Sequence, residues 1–197
     1  MRKIVKKGYD EGKYENYYNR KSSKLLPFDK FMCDELTSRL DKNYKILDLG
    51  CGNGLPYDKY FVKNKFNLTG IDISERHIEL AKKNVNAKFS VGEFFSAKGK
   101  YNAIVSFFSI FHIPRTEHLK LLKKINSLLK KEGYILITLG AKSMNCAINP
   151  NFVGAPMAWS SYSVENNKKL VERAGFTILM AVEDYRTEKH LWILAKK

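Results

Sequence analysis

The chain has 197 residues, 44% of them hydrophobic and 28% charged, and carries a formal net charge of +15. That length suits one domain with a three-layer core, and the composition excludes a disordered, low-hydrophobicity chain. Apolar runs all stop short of the roughly 18 residues that a membrane helix needs. The N-terminal MRKIVKKGYDEGKYENYYNRK also lacks the apolar centre of a signal peptide, so a soluble cytoplasmic protein with no membrane partner is expected.

A polar arm with Tyr9, Tyr14, Tyr17 and Tyr18 leads into a predicted helix. Phe28, Phe31, Met32, Leu36 and Leu40 recur there at helical spacing, and Pro27 suits the first turn. Short apolar runs then alternate with amphipathic segments. KILDL (45–49) is a predicted strand and 56–63 a helix; NLTGI (67–71) is the second strand. Ser74 caps a helix carrying Ile78, Ala81 and Val85. KFSV (88–91) and NAIVSF (102–107) are the third and fourth strands. Pro114 opens a helix with Leu119, Leu122, Ile125 and Leu129, which Glu132-Gly133 ends before the fifth strand, YILITL (134–139). Residues 140–162 read as a long polar-aromatic connection. Ser163 caps the last helix, which carries Leu170, Val171 and Ala174 and stops at Gly175. FTILMAV (176–182) and HLWILA (190–195) are strands joined by a short turn.

Strands alternating with helices predict an α/β three-layer sandwich around a mostly parallel seven-stranded sheet. The last two strands have no helix between them, so the final strand is expected to be antiparallel. Residues 1–197 are read as one domain, with 1–41 as a helical arm or lid and 140–162 as a connection on the substrate side.

Cys33, Cys51 and Cys146 are odd in number and widely spaced, without CxxC or Cys/His spacing. Reduced thiols and no metal site follow. The positive charge admits nucleic acid as a partner. However, the basic residues are mostly lysines scattered among Glu and Asp, with no Arg cluster or aromatic RNA-binding signature. Compositional bias is the preferred reading.

The stretch ILDLGCGNGLPYDKY (46–60) carries the chemistry. Gly50, Gly52 and Gly54 allow a tight turn and close ligand approach beyond the first strand, where open parallel sheets bind their ligands. The spacing is GxGxG. A dinucleotide fingerprint needs its third glycine where Leu55 stands, and no GK[ST] follows, which disfavours a pyrophosphate or phosphate ligand. Asp72 ends the second strand, placed to accept from both hydroxyls of a ribose. VGEFF follows the third strand and puts Glu93 and Phe94 where an adenine would lie. The order suits a nucleoside without phosphates.

ILDLGCGNG, GIDIS, VGEFF and YNAIVSFFSIFHIP, in that order, resemble the consecutive motifs of class I S-adenosylmethionine-dependent methyltransferases, from about Lys45 to the C-terminus. FFSIFHIPRTEHLKLL and FVGAPMAWSSYSVENNKKLVERAGF further resemble a subgroup of small methyltransferases whose GAPMxWSH segment has His where Ser161 stands. The resemblance implies a Rossmann-like fold, S-adenosylmethionine as cofactor and methyl transfer. It implies that Asp48, Gly50, Cys51, Gly52, Asn53 and Gly54 hold the amino-acid end of the cofactor. Asp72 would then bind the ribose, Ile73 would pack on the adenine, Glu93 and Phe94 would border the base, and Phe107 would touch the cofactor through its backbone.

Methyl transfer chiefly needs an aligned nucleophile and exclusion of water. A base is needed only where a proton must leave. His112, after the fourth strand, is the candidate catalytic base; its alternative is a structural imidazole bonded to a loop carbonyl. Tyr17, Tyr18, Phe108, Met157 and Trp159 are candidate substrate-binding residues, with Met157 and Trp159 alternatively a satellite core. No DPPY-like motif follows the fourth strand, which argues against a DNA adenine methylase. The preferred function is methylation of a small molecule. The alternatives are an RNA methyltransferase and a non-catalytic S-adenosylmethionine-binding module.

Overall fold

A computed structural model describes residues 1–12, 24–186 and 188–197. Tyr14, Tyr17 and Tyr18 lie outside the described residues.

The sheet strands of the inner register are apolar on both faces because helices cover both. β1 (Lys45–Leu49), β2 (Asn67–Asp72), β3 (Lys88–Val91), β4 (Tyr101–Ser106) and β5 (Leu129–Gly140) run parallel. β8 (Thr177–Asp184) and β9 (His190–Lys196) complete the sheet in the order β3-β2-β1-β4-β5-β9-β8, with β9 antiparallel to both neighbours. The seven strands and the antiparallel last one are those expected. Alternation along each strand divides the core in two. Leu47, Leu49, Ile104, Ile135, Ile137, Leu191 and Ile193 meet α5 (His118–Leu128) and α6 (Val164–Arg173). Ile46, Ala103, Val105, Leu136, Trp192 and Leu194 meet α2 (Pro27–Thr37), α3 (Tyr57–Lys63) and α4 (Glu75–Asn84).

Local signals hold where they were read. Ser74 Oγ accepts from the His77 amide and Ser163 Oγ from that of Asn166. Pro27 starts α2, and Gly175 ends α6 at φ +89°. On α2, buried Asp29 accepts from Tyr57 Oη at 2.8 Å and from Arg186, whose guanidinium also pairs with Asp184. This ties α2 and α3 to the end of β8.

Three features differ from the sequence reading. Phe31, in the predicted apolar stripe, is 46% exposed, because the inward face of α2 runs through Asp29, Met32, Cys33 and Leu36. α5 ends at Leu128, and Leu129 already pairs with Tyr101, ahead of the Glu132-Gly133 stop. The connection at 140–162 contains a hairpin of β6 (Met144–Phe152) and β7 (Ala155–Ser161), turned by Val153 and Gly154 at φ +50° and +92°. β6 is exposed along most of its length, so it shows no alternation of apolar and polar residues. Upstream, the arm begins as helix α1 (Arg2–Glu11), which packs on β7 through Val5 and Gly8.

Trp192 is fully buried between Phe28, Phe107 and Phe108. Trp192→Ala should cost about 3–5 kcal/mol of unfolding free energy, as expected for deletion of a large buried ring, measured by urea denaturation.

Candidate active site

The strand order reverses between β1 and β4, because β2 and β3 lie on one side of β1 and β4 and β5 on the other. A crevice opens at such a switch point. The turn after β1 fills its floor. Gly50 sits at φ +87°, and a Cβ there would lie 2.5 Å from that of Ser109. Ser109 is held in place by its own bonds to Leu49 O and Ser106 Oγ. Gly54, at φ +78°, faces Ala81 of α4 and Val85 just beyond that helix. Gly52 is different: at φ +54°, a Cβ there would meet nothing closer than His77 Nδ1 at 3.9 Å. All three glycines have a left-handed φ; Gly50 is required by packing as well, whereas Gly52 opens onto the cleft. Asp72 fixes the turn. One carboxylate oxygen accepts from Gly52 N at 2.8 Å and the other from Ser74 N at 2.9 Å.

From this turn the cleft runs past Phe107, Phe108, Ser109 and His112 to a wall made by Phe111, Phe152, Trp159 and His190. Phe152 and Trp159 meet edge to face across the hairpin at 5.0 Å. A side chamber beyond Asp72 is lined by Ile73, Gly92, Glu93, Phe94 and Phe95. Helix α1 crosses the opening. At its start Arg2 pairs with Glu93 at 3.2 Å and with Glu117. At its end Asp10 accepts from Ser74 Oγ at 2.7 Å, and Arg76 donates to Gly12 O at 2.8 Å. Gly8 lets the helix lie close on β7, since a Cβ there would fall 2.3 Å from Pro156 O.

His112 is buried at the junction of the two halves. Its Nδ1 lies 2.9 Å from Ala158 O and its Nε2 lies 2.8 Å from Tyr9 Oη. Burial, reinforced by nearby His190, lowers its pKa to about 4 against partial compensation from the Ala158 carbonyl. The ring is neutral at pH 7. A carbonyl only accepts, so Nδ1 carries the proton, Nε2 is the acceptor, and Tyr9 donates.

A family model described as a methyltransferase domain matches residues 25–181. The chain belongs to that family. Its strand order and glycine turn are those of the class I S-adenosylmethionine-dependent methyltransferases, whose cofactor is S-adenosylmethionine. Over 110 residues the methyltransferase is 31% identical to the ubiquinone biosynthesis O-methyltransferase of Pelagibacter ubique (strain HTCC1062), a match that covers 52% of this chain and 45% of that relative. The match thus spans less than half of the relative's length. Two solved structures share the fold at low identity. Magnesium protoporphyrin IX methyltransferase from Synechocystis PCC 6803, with bound SAH, superposes with a TM-score of 0.77 at 14% identity, covering 100% of this chain and 99% of that one. The 1,6-didemethyltoxoflavin-N1-methyltransferase of Burkholderia thailandensis, with that compound and S-adenosylhomocysteine bound, gives 0.70 at 16%, covering 93% and 83%.

Of the residues expected at the methyltransferase site, Gly50, Gly52, Asn53, Asp72, Phe107, Phe108, His112 and Trp159 line the main cleft, while Ile73, Glu93 and Phe94 line the side chamber. Asp48, Cys51 and Gly54 sit behind the turn, with Asp48 and Cys51 buried. Met157 takes the satellite-core alternative: it is fully buried under α1 beside Val5, where it seats the arm. Tyr17 and Tyr18 lie outside the described residues. Sequence reading missed Tyr9, His77, Phe111, Phe152, Glu188 and His190 as site residues. Only Tyr9 carried a signal, as one of the arm tyrosines.

The turn fits the family's cofactor by its own geometry. An ionised carboxylate has about four acceptor positions. Asp72 uses two on Gly52 and Ser74, which leaves capacity for a ribose. The bare Cα of Gly52 lets a ligand lie against the turn.

The glycines separate folding from binding. Gly50→Ala should cost about 2–4 kcal/mol of stability, from a left-handed φ and the Ser109 clash. Gly52→Ala should cost only about 1–2 kcal/mol, yet weaken S-adenosylhomocysteine binding roughly tenfold or more because its methyl group enters the cleft; urea denaturation and calorimetry measure the two effects. The buried histidines set a pH dependence. His112 and His118 both have pKa values of about 4 in the fold, against 6.5 when free, and burial is the main cause for each. Between those values the unfolded chain binds more protons, so this contribution is complete above about pH 6.5 and is lost as pH falls toward 4. Unfolding free energy should drop by up to about 1.4 kcal/mol per pH unit for each histidine, and His118→Gln should flatten the slope.

Proposed function

We propose that this chain transfers the methyl group of S-adenosylmethionine to a small-molecule acceptor. The observation that carries the reading is the continuity of one cleft. It runs from the glycine turn and Asp72 to the aromatic wall of the β6–β7 hairpin, with His112 at the border. With helix α1 in place the cleft keeps a cavity of about 90 Å3 that opens on one side. A fold neighbour, the 1,6-didemethyltoxoflavin-N1-methyltransferase with 1,6-didemethyltoxoflavin bound, supports the same class.

When bound, the cofactor supplies a methyl group on a sulfonium, already a good leaving group. The protein's part is to bind, orient and keep water out. Gly50, Gly52 and Asn53 would face the amino-acid end, and Asp72 the ribose hydroxyls. Ile73, Glu93 and Phe94 would border the base. Asp72 and Glu93 supply negative charge beside a cationic ligand. Phe108, Phe111, Phe152 and Trp159 would hold a flat acceptor, with His112 as its base. Helix α1, pinned on both sides of the opening, acts as the lid.

Asp72→Asn should weaken S-adenosylhomocysteine binding by roughly 10–100-fold, the worth of hydrogen bonds to a charged group, while wild-type protein binds it measurably in calorimetry. In a metabolite screen with labelled S-adenosylmethionine, wild-type protein should label a small acceptor, and His112→Asn should slow that turnover by about 10²–10⁴-fold with cofactor affinity unchanged. A wild-type protein that binds no S-adenosylhomocysteine sinks the reading.

A further inference from the structure

The arm brings a second proton-carrying group to His112. Tyr9 borders both the main cleft and the side chamber, which it shares with Gly50, Asp72, Ser109 and His112. Its ring stands between two imidazoles, 5.2 Å from His77 and edge-on to His112 at 5.3 Å. Its hydroxyl lies on the one ring nitrogen of His112 that carries a lone pair, since Nδ1 is committed to Ala158 O. A ligand in the cleft therefore meets the phenol of Tyr9 on its way to the lone pair of His112. The helix is held at this depth by the Arg2 and Asp10 contacts and by the close seat of Gly8.

We propose that Tyr9 and His112 form a proton-transfer pair in which Tyr9 is the catalytic residue that touches the acceptor. This rests on the methyl-transfer reading above and deepens it. As the acceptor oxygen gains the methyl group, its O–H bond breaks and that proton passes to the Tyr9 oxygen. The Tyr9 proton moves to His112 Nε2, which leaves an imidazolium protonated on both nitrogens. The positive charge lost with the methyl group reappears on the ring, so the buried site keeps its net charge. Opening of the arm returns the proton to solvent. The acceptor class is a molecule with a flat apolar body whose nucleophile is a hydroxyl that must lose its proton.

The pair is tested first without turnover. In ¹⁵N NMR of histidine-labelled protein bound to S-adenosylhomocysteine, His112 should be the Nδ1–H tautomer, its signals assigned with His112→Asn. Tyr9→Phe should move Nε2 toward an unbonded imidazole nitrogen and leave Nδ1 in place; an unmoved Nε2 overturns the pair whatever the kinetics. Turnover is then compared on catechol and on a nitrophenol already ionised at the assay pH, with labelled S-adenosylmethionine. Tyr9→Phe should slow catechol methylation by about 10²–10⁴-fold and nitrophenolate methylation only a few-fold. Equal losses on both would mean that the hydroxyl merely seats the arm, and would overturn the proposal. Absence of S-adenosylhomocysteine binding to wild-type protein is a separate failure, that of the methyl-transfer reading. If wild-type protein methylates neither probe, the imidazole spectrum decides alone.

Discussion

The carboxylate of Asp72 joins the parts that the rest of the site depends on. It accepts from Gly52 in the turn after β1 and from Ser74 at the start of α4, so one side chain sets the distance between the loops after β1 and β2. Ser74 then donates to Asp10 of the arm and accepts from His77 N as the cap of α4. Turn, helix start and arm are thus linked through one buried acid and one serine. A buried carboxylate is tolerable because its oxygens are met by N–H donors. Asp72 builds the site as well as bordering it.

A second constraint is electrostatic. The chain carries +15, yet its family's cofactor is a cation. The site answers locally, with Asp72 and Glu93 at its edges and a neutral imidazole at its centre. Glu93 also pairs with Arg2. The same carboxylate therefore serves both the chamber and the clasp of the arm, and this ties the position of α1 to the charge of the cleft. Neutral His112 adds no positive charge next to a sulfonium, because burial disfavours its protonated form.

The strands of the sheet and the glycine turn were legible because their signals are local. Apolar runs of strand length, Ser74 and Ser163 as caps, and Gly175 as a stop each act within a few residues, and all are realised. The β6–β7 hairpin was not legible. One of its strands lies mostly in solvent and contains Asn149, Pro150 and Asn151, so no alternation marks it. Phe31 shows the limit from the other side: helical spacing gives a stripe, but only the packing partner decides which edge of that stripe is buried.

Within the site the division follows sequence distance. The sequence by itself determined the glycine-turn half, because Gly50, Gly52 and Asp72 belong to adjacent strand ends and parallel pairing brings such ends together. Only the tertiary structure decided the half around His112. Tyr9 meets His112 from the far end of the chain, Ala158 fixes the ring from a hairpin, and Met157 turns away to seat the arm. These contacts arise where α1 lies on β7, and that docking depends on Gly8 leaving room beside Pro156. Such a fit is a property of two surfaces, and no local pattern along either segment encodes it.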